Sequence, residues 1–400
     1  MSTGTLTPIP ERPPLELQRT SLFPVHQRLG AHLVPFAGRE MPLYYQSIRA
    51  EHEAVRNGVG IFDVSHMGIQ TLTGASAAGL LSRRTTADVT KLSPGRTHYT
   101  FLLNLAAQMV DDLLITRLDA GGESIPAFLA VPNAARAARI LELFRQHRRP
   151  DTRVEAWNHQ VAILAVQGPG SRDLLTSVMG WRSEGLRFYE GRLFPGSSRS
   201  AIPVEGRLGA QFPRDLLDGI WVSRTGYTGE LGYELFVRGE DAPSLFDRLL
   251  AAGAVPSGLG ARDTLRLEKG YLLSGQDFDR DHTPLEAGQE RFVTLDHPFV
   301  GREALEKQQR EGVPVRLTGI RIDAPGAIPR HGTAVLANGA PVATVTSGGL
   351  SPTLNVGIAL AYLPPPLQAP GTELSVDLRG RLVPARVVPL PFLPAPAKRA

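Results

Sequence analysis

The sequence predicts an α+β protein of more than one domain, with an all-β region at its C-terminal end. Up to about residue 310, stretches with helical spacing of apolar residues alternate with short apolar strands and glycine-rich turns. From about Pro314 onward, short strands alternate with turns, a pattern typical of a separate all-β domain. The chain has 400 residues, more than a single core of ordinary size organises, so two or three domains are expected.

Helices are predicted in the first 310 residues wherever apolar residues recur at three- and four-residue spacing. Several of these segments end at a glycine, the residue that most readily terminates a helix. The predicted helices cover residues 22–30, 49–57, 134–147, 242–253 and 260–270.

A continuous apolar run at 161–167 predicts a buried strand. The run leads into a Gly-Pro-Gly-Ser turn and a further helix, for which Ser171 is the predicted N-cap. Such a junction could hold an anion on helix amides, but a tight turn is the favoured interpretation. The glycine-punctuated segment 221–239 predicts a β-hairpin.

The composition excludes several classes of function. The chain contains no cysteine, which excludes disulfide scaffolds, cysteine-ligated metal centres and a cysteine nucleophile. The ten histidines are scattered without metal-ligand spacing, so no bound metal is expected. Basic residues are spread along the chain and aromatic residues make up only 6%, so nucleic-acid binding is not expected.

No apolar stretch approaches the ~18–20 residues that a membrane-spanning helix needs. The segment 1–19 carries four prolines and no apolar signal core, so it predicts a disordered tail rather than a signal peptide. We therefore expect a cytoplasmic protein that does not bind a membrane.

Two acids interrupt the otherwise apolar strand predicted at 109–115. Successive strand residues point to opposite faces, so one of Asp111 and Asp112 can face solvent while the other faces inward. An inward carboxylate costs several kcal/mol unless something pairs with it. The inward aspartate is therefore either a structural hydrogen-bonding group or a site residue, and the pattern alone does not choose between them.

Two later segments carry further candidate site residues. Glu234 follows an aromatic residue and precedes an apolar pair, so it is a candidate half-buried acceptor, although taken alone the segment is more simply a twisted hairpin with surface acids. Arg262 and Arg266 lie one helical turn apart, where two guanidinium groups could grip a carboxylate-bearing ligand. A solvated helix face with salt bridges is the ordinary alternative.

The combination of motifs is more specific than any one of them. Eight motifs occur in a fixed order: FDVSHM at 62–67, VDDLL at 110–114, GYTGE at 226–230, GLGARDTLRLE at 258–268, GQD at 275–277, TPLE at 283–286, FVGRE at 299–303 and TSGGLSPT at 346–353. With this set the chain resembles the T protein of the glycine cleavage system, a tetrahydrofolate-dependent aminomethyltransferase, over roughly residues 20–395.

The resemblance implies a three-domain cloverleaf around a central folate channel, with a small β-barrel as the C-terminal domain. The expected division is a tail at 1–19, a folate-binding region at 20–310 and the barrel at 311–400. Within the folate-binding region, two interleaved α+β domains are expected. They comprise residues 20–66 with 160–275, and residues 67–159 with 276–310.

The resemblance also implies the reaction and its partners. The family takes an aminomethyl group from the lipoyl arm of the H protein, releases ammonia and passes the methylene to tetrahydrofolate. Tetrahydrofolate is thus the expected co-substrate, the lipoylated H protein the expected partner, and no metal is expected.

Site residues follow by motif position. The family's key aspartate falls on Asp112, which would orient the folate N10 and accept a proton, and Asp111 would be its outward or structural neighbour. The carboxylate that accepts from the pterin N3–H and 2-amino group falls on Glu234, and the folate-contacting arginine on Arg262. The other positions that match the family's folate-lining residues or its Asn-Ala motif are Met67, Tyr99, Tyr227 and Asn133.

Departures from the family pattern leave two alternatives open. Arg39 and Arg291 stand where the family usually has tryptophan, and the second lies close to the expected folate. A folate-dependent demethylase or methyltransferase of the same fold would retain Asp112 and Glu234. It would differ in the side of the channel that receives the one-carbon donor. A folate-binding accessory protein of iron–sulfur assembly is disfavoured, because its relatives carry a cysteine in the segment that corresponds to 269–276.

Overall fold

The computed structural model describes residues 17–118, 126–180, 185–195 and 219–394. Most of the tail expected at 1–19 therefore lies outside the described residues, whereas Gln18 forms backbone hydrogen bonds with Gly38 and Glu40 at 3.0 and 2.9 Å. Among the described residues, no helix is long and apolar enough to cross a membrane.

Helices and strands are mixed up to residue 311, and in the described residues beyond it strands and turns follow, with one short 3₁₀ helix at Pro365–Leu367. The helices are α1 (Phe23–Arg28), α2 (Ile48–Asn57), α3 (Ala77–Arg84), α4 (Ala137–His147), α5 (Ser171–Met179), α6 (Ala242–Ala251), α7 (Leu259–Glu268) and α8 (Arg302–Glu311). The strands before the last helix are β1 (His32–Phe36), β2 (Arg39–Tyr44), β3 (Gly60–Asp63), β4 (Gln70–Thr73), β5 (Thr97–Leu103), β6 (Met109–Arg117), β7 (Ala127–Pro132), β8 (Arg153–Ala156), β9 (Val161–Gln167), β10 (Gly191–Pro195), β11 (Gly219–Ser223), β12 (Gly232–Arg238) and β13 (Val255–Pro256). The strands after it are β14 (Arg316–Ile322), β15 (Ala334–Ala337), β16 (Ala340–Ser351), β17 (Val356–Leu363), β18 (Glu373–Leu378) and β19 (Arg381–Val388).

A six-stranded sheet runs in the order β10-β11-β12-β9-β3-β13 and is antiparallel except for the β13–β3 pair. Strand β9 is buried along its whole length, because both faces of the sheet are covered. Its alternate residues Leu164 and Val166 belong to the core that also contains Phe246 of α6, whereas Ile163 and Ala165 belong to the core that contains Leu265 of α7.

A second, five-stranded antiparallel sheet runs in the order β5-β6-β7-β4-β8. Its apolar face packs on α3 and α4, where Leu113 and Ile115 of β6 share a core with Leu81 and Phe144. Because side chains alternate along a strand, Asp112 projects from the face that is turned away from these helices.

The last six strands form a closed barrel in the order β14-β17-β16-β15-β18-β19. Its interior is filled by small and branched apolar side chains, among them Ile320, Val345 and Val376. The expected all-β C-terminal region with a β-barrel is thus confirmed. The barrel contacts α7 through Glu268, whose carboxylate accepts hydrogen bonds from Ser351 and Thr353 at 2.5 and 3.0 Å.

The local predictions are confirmed with small shifts at helix ends. The strand at 161–167 and the hairpin around 221–239 are present, and the helix expected from 134 begins at Ala137. The N-cap prediction is wrong: Gly170 occupies the N-cap of α5. Ser171 is the first helical residue instead, and its hydroxyl donates to the carbonyl of Leu231 at 3.3 Å, since β12 begins beside this turn.

Candidate functional site

The centre of the site is Asp112, on the face of the five-stranded sheet that is turned away from the helices. Asp112 pairs with Phe101 across β6 and β5, so Tyr99 is its diagonal neighbour on the same face. The Tyr99 hydroxyl donates to Oδ2 of Asp112 at 2.5 Å. The Asp112 carboxylate is therefore buried and fixed in orientation, with 8% of the residue exposed.

Asn133 connects the two aspartates. It follows the end of β7, where its Nδ2 donates to Oδ1 of Asp112 at 2.5 Å, to the Asp112 carbonyl at 3.0 Å and to Oδ1 of Asp111 at 2.9 Å. Its backbone N–H also donates to Oδ2 of Asp111 at 3.1 Å. One amide side chain thus holds both carboxylates in place.

Asp111 does not face solvent, so the expectation of one outward aspartate is wrong. The residue is fully buried, because Asn133 and the loop that carries Ser274 cover this end of the sheet. The Ser274 hydroxyl donates to Oδ1 of Asp111 at 3.1 Å. Both oxygens of Asp111 therefore accept hydrogen bonds from the protein. This fits a structural role, which was the alternative to an outward-facing side chain.

Both aspartates hold protons more tightly than usual. Burial raises the pKa of Asp111 to about 7, with a further contribution from the charge of Asp112 and opposition from the hydrogen bonds of Asn133 and Ser274. Burial also raises the pKa of Asp112, against the hydrogen bonds from Tyr99 and Asn133 that favour the ionised form. Among the described residues, no salt bridge neutralises either carboxylate. An ionised Asp112 in this setting is a strong proton acceptor.

Glu234 lies on the other sheet, on the face that α7 covers. It stands opposite Ser223 of β11 and Ala165 of β9 and is half-buried. The Thr225 hydroxyl donates to its Oε2. With Oε2 held in this way, the carboxylate can accept two parallel hydrogen bonds from a planar donor pair.

Arg262 of α7 lies beside this carboxylate. Its guanidinium group stacks over the ring of Tyr227, 4.7 Å from the centroid. Burial lowers the pKa of Arg262, and the charge of Glu234 opposes that shift. Among the described residues, no hydrogen bond or ion pair occupies the Arg262 side chain, so it is available to a ligand.

Arg266, one turn along α7, has its guanidinium group occupied within the protein, although its charge reaches Tyr227, so the expectation that two arginines grip one ligand is wrong. Its guanidinium group donates to Asp277 at 2.9 Å, to Asp263 at 2.8 Å and to Ser347 of the barrel at 2.8 Å. The residue is 1% exposed. Arg266 therefore connects α7 to the barrel rather than to a ligand.

Aromatic rings cluster near the two carboxylates, both of which act on the pKa of Tyr189, and we call this group the aromatic slot. Its members are Tyr99, Tyr189, Tyr227, Tyr271 and Phe292. The rings of Tyr227 and Tyr271 stack at 5.7 Å, and those of Tyr99 and Phe292 meet edge to face at 4.8 Å. Burial raises the pKa of Tyr227, the charges of Arg266 and Arg262 lower it, and the charge of Asp112 raises it further. Tyr227 is thus within electrostatic reach of both ends of the site.

Met67 lies in the turn that follows β3 and is half-buried against the core shared with α2 and α7. Its carbonyl accepts a hydrogen bond from Asn158 at 2.5 Å. The preceding His66 is buried, and its Nδ1 has no partner among the described residues. Burial lowers the pKa of His66 to about 3, as do the charges of Arg262 and Arg39, whereas Asp63 opposes the shift. His66 is therefore a neutral ring near Arg262.

The structure thus joins Asp112, Tyr99 and Asn133 through hydrogen bonds, and Glu234, Arg262 and Tyr227 through stacking and charge. It also contributes residues that the sequence analysis missed as site residues, namely Tyr189, Tyr271, His66 and Ser274. Tyr189 carried no signal, because it lies outside all of the quoted motifs. His66 lay within the FDVSHM motif and Ser274 within the segment 269–276, but only the fold shows what they touch. Across the described ranges, no group of three or more potential metal ligands occurs.

Family models match most of the chain. A model described as the GCVT N-terminal domain matches residues 22–195 and 217–297. A second, described as the glycine cleavage T-protein C-terminal barrel domain, matches residues 316–393. The second match coincides with the closed barrel.

Individual relatives agree with this match. The chain is 43% identical over 381 residues to an aminomethyltransferase of Rubrobacter xylanophilus, with 94% of each chain covered. It is 40% identical over 382 residues to an aminomethyltransferase of Geobacillus kaustophilus, with 94% of this chain and 98% of the relative covered. Among solved structures, the glycine cleavage system aminomethyltransferase T of Bartonella henselae is similar with a TM-score of 0.82 and 30% identity, covering 94% of this chain and 98% of that one.

Proposed function

The chain belongs to the glycine cleavage T-protein family, and from that premise we propose how it acts as an aminomethyltransferase. The proposed reaction moves the methylene of an aminomethyl-lipoyl carrier, the H protein, to tetrahydrofolate. The carbon loses its bonds to sulfur and to the amine and gains bonds to N5 and N10 of the folate. The two protons released from these nitrogens appear on the lipoyl thiol and on ammonia, so atoms and charge balance.

The observation that carries the proposal is the buried, ionisable Asp112 fixed by Tyr99 and Asn133. A carboxylate at this position can hold the N10 proton, orient that nitrogen and stabilise the positive charge that develops on the transferred carbon. Its raised pKa and the lack of a neighbouring cation among the described residues strengthen both effects. We infer that Asp112 is the catalytic residue, and that Tyr99 and Asn133 are positioning residues.

The other end of the site suits a pterin ring. Glu234 has one oxygen held by Thr225 and can accept from two adjacent N–H groups. The aromatic slot offers flat apolar surface to a planar bicyclic ring. Arg262 and the unpartnered Nδ1 of buried His66 add polar groups that a ligand could satisfy. The residues present therefore fit tetrahydrofolate, which would supply the nucleophilic nitrogens.

A folate-dependent demethylase of the same fold is not favoured. The relatives described above are named aminomethyltransferase and cover at least nine-tenths of this chain. The charges of Arg39 and Arg291, the positions that were expected to distinguish a demethylase, act on His66 and Tyr189 of the site. They do not separate the two reactions, because both would retain Asp112 and Glu234.

A two-donor assay tests the proposal. The purified protein is incubated with tetrahydrofolate and either an aminomethyl-lipoyl carrier or small methylated amines, and methylene-tetrahydrofolate and methyl-tetrahydrofolate are both measured. We expect methylene-tetrahydrofolate only with the carrier, together with one ammonia per methylene transferred. Methyl-tetrahydrofolate formed from the methylated amines, with no product from the carrier, would instead support the demethylase.

A further inference from the structure

The barrel is tied to the reaction centre by the loop at residues 272–278, which we call the anchor loop. Its fixed point is Asp277, whose carboxylate is fully buried. The carboxylate accepts hydrogen bonds from Arg266 of α7 and from Ser347 of the barrel, both at 2.9 Å. It also accepts one from the backbone N–H of Leu273 at 2.9 Å, which closes the loop on itself. The loop is therefore held by its own backbone, by α7 and by the barrel together.

From this position the anchor loop reaches both halves of the site. Its Leu272 carbonyl accepts a hydrogen bond from the hydroxyl of Tyr227 in the aromatic slot. The Ser274 hydroxyl donates to Oδ1 of Asp111 at 3.1 Å. Gly275 follows with φ +86°, in the left-handed region that glycine adopts freely, so the chain turns back directly after Ser274. Among the hydrogen bonds of the described residues, that of Ser274 is the one through which the loop touches the aspartate pair.

Ser274 favours a negative charge on Asp111. A hydroxyl donor stabilises an ionised carboxylate more than a protonated one. Burial and the charge of Asp112 raise the pKa of Asp111 to about 7, and the hydrogen bonds of Asn133 and Ser274 oppose that rise. Because this value is close to neutral pH, a single donor changes the fraction of Asp111 that is ionised there.

The charge of Asp111 is not set by a counterion. Among the described residues, no cation pairs with this carboxylate. Strand β5 contributes the hydroxyl of Tyr99, which is bonded to Asp112, and the end of β7 contributes only a neutral amide. The anchor loop contributes Asp277, whose charge acts on Asp112 and is balanced by Arg266 at 2.9 Å. Hydrogen-bond donors therefore decide whether Asp111 is charged.

We propose that Ser274 is a positioning residue for the one-carbon transfer, because it keeps Asp111 as a second negative charge beside Asp112. This inference rests on the proposed function, in which Asp112 faces the transferred carbon as that carbon becomes cationic. Asp111 acts through Asn133, whose side-chain amide donates to the two carboxylates at 2.9 and 2.5 Å. A second charge in a buried site adds to the stabilisation of the developing cation and makes Asp112 a stronger acceptor for the N10 proton.

The pH dependence of single-turnover transfer, with saturating tetrahydrofolate and carrier, tests this role. Coupled carboxylates lose their protons in two steps, so the wild-type rate should rise a second time as Asp111 ionises, near pH 7. In Ser274→Ala this step should move up by about one pH unit, while the Kd for tetrahydrofolate stays unchanged. Ser274→Thr keeps the hydroxyl and should restore the wild-type midpoint. Ser76→Ala, which removes a hydroxyl that donates to Asp151 at 2.8 Å on the surface, is the matched control.

Urea unfolding of the same variants supplies a readout that needs no activity. Without the Ser274 hydroxyl the ionised form of Asp111 loses a donor, so S274A should lose more stability at about pH 9 than at about pH 6, and S76A an equal amount at both. A rate step that stays at the wild-type pH in S274A, with a loss of rate that is equal at every pH, would overturn the positioning role and leave the proposed function intact. If wild type transfers nothing at any pH, the proposed function is wrong, and the positioning role of Ser274 with it.

Discussion

The Tyr99 hydroxyl donates to Oδ2 of Asp112 across 2.5 Å, from the neighbouring strand of the same sheet. This hydrogen bond favours the ionised carboxylate, whereas burial favours the protonated one. The same contact fixes the orientation of the carboxylate, and therefore the direction in which the lone pairs of its other oxygen, Oδ1, point. The relationship between these two residues therefore sets both the charge and the orientation of the proposed catalytic group.

Replacing Tyr99 with phenylalanine should move the pH dependence of the reaction. Without the hydroxyl, the ionised form of Asp112 loses a stabilising donor, so its pKa rises further. Activity that needs the carboxylate is lost as the pH falls through that pKa, so the acid limb of kcat/KM should shift to higher pH. We also expect kcat/KM at pH 8 to fall about tenfold.

The matched control for this variant is Tyr44→Phe, which removes a phenol hydroxyl from the β1–β2 hairpin. Its pH profile should coincide with that of wild type. An acid limb in the Tyr99→Phe variant that stays in place would show that Tyr99 does not tune Asp112.

Replacing Asn133 with alanine should destabilise the protein more at high pH than at low pH. The Asn133 hydrogen bonds lower the pKa of both aspartates, which means that they stabilise the ionised forms. Their loss costs most when the carboxylates are ionised, above a pH of about 7 for Asp111. We expect a loss of about 1–3 kcal/mol at pH 8, and a smaller one at pH 5, measured by urea unfolding. An equal loss at both values would contradict this role for Asn133.

Replacing Glu234 with glutamine should weaken folate binding more than catalysis. The substitution removes the charge and replaces one acceptor oxygen by a donor that faces the pterin N–H groups. We expect the Kd for tetrahydrofolate to rise about tenfold or more, with a smaller change in kcat. Glu373→Gln, on the barrel strand β18, is the control and should bind as wild type does. A Glu234→Gln variant with unchanged Kd would place the pterin elsewhere.

Replacing Glu268 with glutamine should test how the barrel is held against α7. Burial opposes ionisation of Glu268, but hydrogen bonds from His52, Ser351 and Arg56 outweigh it and lower its pKa to about 2. A lowered carboxyl pKa means that the ionised form stabilises the fold above the ordinary pKa of 4.5 and that this contribution is lost as the pH falls toward 2.

The expected cost of Glu268→Gln is roughly 3 kcal/mol at pH 7, shrinking below pH 4.5. Urea unfolding at pH 7 and at pH 3.5 measures both values. Equal stability of variant and wild type at pH 7 would contradict the account of this contact.

Local pattern predicted most of the fold, because helices and strands are set by periodicity within short segments. The buried strand at 161–167 could be predicted from the sequence because both faces of its sheet are covered, which makes the run continuously apolar. The Ser171 N-cap was wrong because its hydroxyl bonds to Leu231, a partner sixty positions away in sequence. A propensity rule based on neighbouring residues does not include such partners.

The site could be predicted less fully than the fold, because its contacts join residues that are distant in sequence. Motif resemblance indicated Asp112, Tyr99 and Asn133, but their mutual hydrogen bonds depend on the register of β5 against β6. Arg266 was misassigned because its partners Asp277 and Ser347 are brought to it by the loop and barrel that follow. Tyr189 was missed because its position beside Arg291 and Asp112 exists only in the folded chain.

Single-turnover ammonia release from an aminomethyl-lipoyl carrier tests the central claim most directly, with wild type compared to Asp112→Asn in the presence and absence of tetrahydrofolate. Asp247→Asn, a half-exposed position on α6 that pairs with Arg28, controls for the loss of a carboxylate. We predict that release depends on tetrahydrofolate, that D247N matches wild type, and that D112N is slower by about 10²-fold or more while its Kd for tetrahydrofolate changes little. A D112N rate within about threefold of wild type would contradict the assignment of Asp112 as the catalytic group.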